Sequence, residues 1–129
     1  MIYLDSCIVI YLVEHHPVYF PKLKPLLTGI SGVTISPLVE MEVLIHPLRT
    51  KDIKLANAYQ SFFDCCTILE MPGEVYRLAA KVRAEHGIKT PDALHLATAT
   101  WHGCFSLWTN DDRLAAASPA ITRNILAVP

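Results

Sequence analysis

Four carboxylates, Asp5, Glu42, Asp92 and Asp111, fall at positions where an alternating α/β chain builds a site. Asp5 ends the apolar run Ile2-Tyr3-Leu4, and Asp111 follows the run Phe105 to Trp108 and its Thr109-Asn110 exit. If both runs are parallel strands, both acids stand at strand carboxyl ends, where ligands bind in such folds. Asp92 lies in the first turn of a helix opened by Thr90-Pro91. The helix dipole favours an acid there, so capping alone also accounts for it. Glu42 has Leu38, Met41 and Ile45 as its i−4, i−1 and i+3 neighbours, which places it inside an apolar stripe. A glutamate so placed needs a hydrogen-bond partner or a cation, and a salt bridge to an arginine is the structural alternative. Glu40, about 200° round the same helix, keeps company with Ser36 and Pro37 and is expected in solvent.

Brought together, four carboxylates repel one another strongly. A divalent cation neutralises such a cluster, and oxygen-only ligands select Mg²⁺ or Mn²⁺ over zinc. An ion of that kind activates water and stabilises a phosphoryl transition state. On this reading, Glu42→Gln relieves repulsion and leaves the metal-free protein as stable as before, or more so. The net charge of −1, from 11 basic and 12 acidic residues, by itself argues against a nucleic-acid binder. With the four acids set aside, the remainder is mildly basic, and Arg49, Lys51 and Lys54, or Arg77, Lys81 and Arg83, are candidate phosphate contacts. His95 follows Asp92 by one turn; it either packs within its helix or approaches the substrate or a carboxylate. His15, His16, His46, His86 and His102 mostly fall near expected helix ends, where the last carbonyls favour them, and no chemistry is assigned to them. The cysteines at 7, 65, 66 and 104 form no C-x-x-C pair and read as reduced thiols.

The elements that must position these groups follow from punctuation and periodicity. Strands are expected at Ile2 to Leu4, Val33 to Ile35, Cys66 to Leu69, Phe105 to Trp108 and Asn124 to Ala127. Helices are expected from a Ser6 cap to about Glu14, from Pro21 to Leu27, and from a Ser36 cap to His46, stopping before Pro47. Further helices should cover Lys51 to Phe63, Pro72 to His86, Thr90 to His102, and a short stretch after Asp111. Such alternation implies parallel strands with helices on both faces. The 129 residues make a single domain, residues 1–129. With 52% hydrophobic and 18% charged residues, the chain is not of the disordered class. Its positive mean hydropathy suggests apolar surface covered by a second subunit or partner. The longest apolar run, Cys7 to Val13, is too short to span a bilayer. The opening residues carry no signal-peptide pattern, so a cytoplasmic protein is expected.

Four segments resemble those of PIN-domain ribonucleases: I-Y-L-D-S (Ile2 to Ser6), I-S-P-L-V-E-M-E-V-L (Ile35 to Leu44), T-P-D-A-L-H-L-A-T-A (Thr90 to Ala99) and L-W-T-N-D (Leu107 to Asp111). Their order and spacing cover essentially the whole chain, and the small single-domain form resembles the VapC-type toxins of prokaryotic toxin–antitoxin pairs. The resemblance implies a three-layer α/β/α sandwich with a central, mostly parallel sheet. It implies a Mg²⁺- or Mn²⁺-dependent endoribonuclease that leaves a 5′-phosphate and a 3′-hydroxyl. Asp5, Glu42, Asp92 and Asp111 would be its catalytic and metal-holding acids. Thr109 is then a hydroxyl-bearing support, and Ser6, Asp112 and His95 are further candidates for support. Asp112 directly follows Asp111 and either could be the fourth acid, although T-N-D ends on Asp111. A homodimer, an RNA substrate and inhibition by a small antitoxin protein are also implied. The alternative is a catalytically silent PIN-like module that binds RNA or protein. A dehalogenase-like phosphatase would need an aspartate where Cys7 stands, and a receiver domain would need one where Leu69-Glu70-Met71 follows the third strand.

Overall fold

The computed structural model describes residues 1–127. In chain order it runs β1 (Ile2–Leu4), α1 (Ser6–Val13), α2 (Tyr19–Leu27), β2 (Val33–Ile35), α3 (Pro37–Arg49) and α4 (Ile53–Asp64). It continues through β3 (Thr67–Ile68), α5 (Gly73–His86), α6 (Thr90–Trp101), β4 (Ser106–Thr109), α7 (Asp112–Ala117) and β5 (Thr122–Asn124). The strands pair in the order β3-β2-β1-β4-β5, and every pairing is parallel. The result is a three-layer α/β/α sandwich whose sheet is wholly rather than mostly parallel.

β1 is the centre of this arrangement. All three of its residues are buried, and Tyr3 stands in register with Thr34 on one side and Leu107 on the other. The chain first builds outward from β1 through β2 and β3, then returns to the opposite edge of β1 with β4 and β5. Strand order therefore reverses between β1 and β4. At that reversal the flanking crossovers diverge and leave a crevice above the strand carboxyl ends. Beneath it, Tyr3, Leu4, Ile8, Val9, Ile35 and Leu107 form the fully buried centre of the core.

Local chemistry departs from the sequence expectation at several places. α2 starts two residues early, because Pro21 falls in its first turn, where a missing N–H leaves no bond unmade. α3 continues through Pro47 to Arg49. Pro47 is buried on the same face as Val39 and Val43, and that shared burial favours carrying the helix past it. β5 is Thr122–Asn124 and pairs with Leu107 to Thr109, so the apolar Ile125-Leu126 that suggested a later strand lies in the turn after it. β3 is a two-residue exposed edge. Two caps change place, with Asp5 rather than Ser6 capping α1 and Lys89 rather than Thr90 at the N-cap of α6, while Ser36 holds the N-cap of α3 but makes no side-chain capping bond.

The turn between α5 and α6 sets where Asp92 arrives. Gly87 ends α5 with φ of 64°, and its N–H donates to the Arg83 carbonyl at 2.8 Å. Arg83 then clamps the turn, donating from Nε to the Ile88 carbonyl at 2.9 Å and from Nη1 to Thr90 Oγ1 at 3.0 Å. A Cβ at position 87 would meet no neighbour, so only the left-handed backbone opposes substitution. Gly87→Ala should therefore lower stability by about 1–2 kcal/mol. Gly32→Ala, at an open position without positive φ, should stay within about 0.5 kcal/mol of wild type. Urea unfolding midpoints of the two variants test this, and equal midpoints would refute it.

Candidate active site

The acids reach one place by different routes. Asp5 is the first residue after β1 and continues the ladder, its N–H donating to the Trp108 carbonyl at 3.0 Å. Its carboxylate is buried and held at both oxygens: Oδ1 accepts from the Ser6 N–H at 2.7 Å and Oδ2 from Thr109 Oγ1 at 2.7 Å. Thr109 is wholly buried and also accepts the Asp111 N–H at 3.0 Å. One hydroxyl thus ties the exit of β1 to the exit of β4. Asp111 caps α7, its Oδ1 accepting from the Arg113 and Leu114 N–H groups at 2.8 and 3.3 Å. Asp92, in the first turn of α6, faces Asp111 across a small cleft lined by Ile88, Lys89, Asp92, Asp111 and Arg113.

These carboxylates share a field. The Asp92 carboxyl is held above its ordinary range by burial first, then by the charges of Asp5 and Asp111, with His95 and Lys89 opposing. Cys7 lies beside them, its thiol 3.7 Å from Asp5 Oδ2. Burial, then the Asp5 charge, pushes that thiol up to about 12, so it stays protonated and the usable donors here are oxygens.

Glu42 stands differently. Its Oε1 accepts from Ser6 Oγ at 2.6 Å and from His95 Nε2 at 2.6 Å. His95 Nε2 is also 3.7 Å from Asp5 Oδ1. Burial raises the Glu42 carboxyl, but His95 and Ser6 outweigh it and hold the group below its ordinary range. The stripe inferred from sequence is not what places Glu42. Met41 and Ile45 are exposed at 56% and 46%, and the buried face of α3 is Val39, Val43 and Pro47. Glu42 points inward because two donors from α1 and α6 await it, and its partner is a histidine rather than an arginine. The expected stabilisation by Glu42→Gln is reversed accordingly.

Other candidates fall outside this group. Glu40 lies toward β3, where its charge acts on Cys66. Asp112 is exposed and accepts from Asn124 Nδ2 at 2.7 Å, so it braces β5, whereas Asp111 lines the cleft. Arg77 pairs with Glu74 on the surface of α5, and Arg83 clamps the α5–α6 turn. The cations that border the acids are Lys89 and Arg113. The sequence signal for them was adjacency alone: each lies within three residues of a site acid.

A wholly parallel sheet with acids gathered where its strand order reverses defines a doubly wound α/β domain with a carboxylate-bearing crevice at its switch point. The chain belongs to the PIN-domain family, which it matches over residues 2–118. No curated protein matches it in sequence. Among solved structures it is similar to a toxin–antitoxin complex from Klebsiella pneumoniae, with a TM-score of 0.82, 22% identity, and coverage of 99% of this chain and 100% of that one. It is also similar to FitAcB from Neisseria gonorrhoeae, with a TM-score of 0.80, 20% identity, and coverage of 99% and 100%. VapC20 from Mycobacterium tuberculosis, described as a sarcin–ricin-loop-cleaving toxin, aligns with a TM-score of 0.77, 17% identity, and coverage of 91% and 95%.

The opposite electrostatic settings of Asp92 and Glu42 give opposite outcomes in the protein without added metal. Asp92→Asn should raise the melting temperature at pH 7. The gain should shrink as pH falls through the raised Asp92 range, where wild type takes up the proton itself. Glu42→Gln keeps an acceptor but loses the charge, and should lower the melting temperature by roughly a few degrees. That deficit should fade as pH falls through the depressed Glu42 range. Thermal melts at several pH values decide this; a Glu42→Gln variant more stable than wild type would contradict the pairing with His95.

Proposed function

We propose that this chain is a Mg²⁺- or Mn²⁺-dependent endoribonuclease, the toxin of a toxin–antitoxin pair, acting in the cytoplasm as a homodimer. The observation that carries the reading is the shared field of Asp5, Asp92 and Asp111 at the strand-order reversal, with Glu42 bound to the same centre through Ser6 and His95. Membership of the PIN family and likeness to structures described as toxins and toxin–antitoxin complexes support it.

The donor set suits a hard cation. The acids offer oxygens, and the one thiol among them stays protonated. Among the described residues, no three acid, histidine or cysteine side chains converge into a ready-made cage. Mg²⁺ commonly keeps several waters and binds through only one or two carboxylates, so an open arrangement suits it. Asp5 and Asp92 would hold the ion directly, with Glu42 and Asp111 as ligands directly or through water. Such an ion, when bound, supplies charge neutralisation and Lewis-acid activation of water for phosphodiester hydrolysis. The chain's own residues do the rest. Lys89 and Arg113 attract and orient the backbone phosphate at the mouth of the cleft. Thr109 keeps Asp5 and Asp111 at a fixed separation, and Asp111 cannot swing because it caps α7.

The partners follow from the surface. Met41, Ile45, Leu48 and Ile53 remain exposed along α3 and at the start of α4. They are apolar surface that a second subunit or an antitoxin would cover. Among the described residues no helix is long and apolar enough to cross a membrane.

A fluorogenic RNA pool incubated with Mn²⁺ or Mg²⁺, with and without chelator, tests the proposal. Wild type should cleave, chelator should abolish cleavage, and Asp5→Asn purified identically should lose at least about 100-fold in kcat. Equal activity in wild type and Asp5→Asn would mark a contaminant, and silence of both across diverse RNAs would favour a binding module. Arg113→Ala should raise KM severalfold and flatten the salt dependence of binding, with kcat little changed; an unaltered KM would remove Arg113 from the phosphate path.

A further inference from the structure

The nuclease reading uses Glu42 but leaves unexplained why so many buried polar groups converge behind it. Tyr3 is completely buried at the centre of the sheet, yet its hydroxyl lies 2.7 Å from Ser36 Oγ and 2.7 Å from His95 Nδ1. His95, 1% exposed, passes the connection on from Nε2 to Glu42 Oε1. A chain of hydrogen bonds thus runs from the end of β2, through β1 and α6, to α3. Buried networks of this kind are costly if any member is left unsatisfied and rigid when all are satisfied. Ser36, Tyr3 and His95 are each satisfied here, and none of the three lines the cleft.

The direction of the relay follows from what each group can do. A carboxylate only accepts, so the Nε2 position of His95 carries the proton shared with Glu42. Ser6 Oγ donates to the same Glu42 oxygen. Both donors therefore fall on Oε1, and among the described residues Oε2 receives no hydrogen bond. The Tyr3 hydroxyl, with one proton to give and lone pairs to accept, lies within hydrogen-bond reach of both His95 Nδ1 and Ser36 Oγ.

We propose that His95, fixed at Nδ1 by Tyr3 and Ser36, is a positioning residue that pins Glu42 by Oε1 and leaves Oε2 as the single oxygen offered to a hard divalent cation. The inference rests on the nuclease reading, since it concerns the same acids. Outer-shell partners of this kind typically contribute about 10–100-fold in metal affinity or activity when removed.

The experiment uses Tyr3→Phe, His95→Gln and His95→Leu. Tyr3→Phe keeps the ring that fills the core and deletes only the hydroxyl. His95→Gln places an amide donor near the former Nε2 position, whereas His95→Leu offers none. Mn²⁺ affinity is measured by calorimetry on the RNA-free protein, and kcat and KM are measured separately on RNA. Tyr3→Phe and His95→Leu should weaken Mn²⁺ binding about 10-fold or more and lower kcat while KM for RNA holds. His95→Gln should recover a substantial part of both losses. A merely structural role would lower the melting temperature without this split and without rescue by glutamine. If wild type binds Mn²⁺ and cleaves RNA while Tyr3→Phe and His95→Leu match it, the inference fails and the nuclease reading stands. If wild type binds no Mn²⁺ and cleaves nothing, both fail. Should His95→Leu not fold, the contrast between Tyr3→Phe and His95→Gln decides alone.

Discussion

Holding carboxylates within one another's field is unfavourable, and the architecture around β1 and β4 exists largely to sustain it. Asp5 caps α1, Asp111 caps α7 and Asp92 occupies the first turn of α6. Three helices thus begin at the site, each presenting unpaired N–H groups and the positive end of its dipole to an acid. Asp5 and Asp111 use those amides directly, through the Ser6, Arg113 and Leu114 N–H groups. Asp92 receives less, and burial and the charges of Asp5 and Asp111 raise its carboxyl.

Sheet topology explains why these helix starts coincide. Parallel strands send every crossover back from the same edge, so each strand exit is close to a helix start. With β1 central and strand order reversing beside it, the exits of β1, β2 and β4 lie side by side. Position 5, position 36 and positions 109 to 111 are brought together by the sheet itself. Thr109 joins the β1 and β4 exits with one hydroxyl, and Tyr3 joins the β1 and β2 exits with another. The central strand is three residues long, which leaves little room for error, and complete burial of Tyr3 and Leu4 fixes its register.

Much of this was legible in the chain. The alternation of short β-rich runs with capped helices gave the parallel sandwich, and acids placed after strands gave Asp5 and Asp111. What could not be read was anything that depends on which face an amphipathic helix presents. Leu38, Met41 and Ile45 look like a core stripe beside Glu42, but α3 packs through Val39, Val43 and Pro47. Apolar side chains were available on both faces, and hydropathy alone does not choose between them. For His95 the approach to a carboxylate was one of the readings open in sequence, and it meets Glu42, but a histidine in an apolar helix gives no sign that a tyrosine 92 positions away will meet it. Pro47 is a simpler case: a missing N–H opposes a helix interior, but burial beside Val39 and Val43 retains the residue there. Lys89 and Arg113 stand alone in the sequence, so no charge pattern marks them as neighbours of the acids.

The contrast between Asp92 and Glu42 shows how one site can contain both strain and order. Glu42 is an acid whose charge the fold favours: two donors hold it below its ordinary range, and protonating it would weaken them. Asp92 is an acid whose charge the fold opposes, and it becomes more comfortable with a proton or a nearby cation. Where both are ionised, the protein without a cation carries a penalty at Asp92 that it does not carry at Glu42. Any ligand that neutralises the cluster is favoured by relief of that penalty, and by linkage it stabilises the folded chain. On the proposed reading, Glu42 and its supports supply a preformed geometry, while Asp92, Asp5 and Asp111 supply the electrostatic demand. A site built only of favoured acids would bind a cation weakly, and one built only of opposed acids would sacrifice the order that Ser6, His95 and Thr109 maintain.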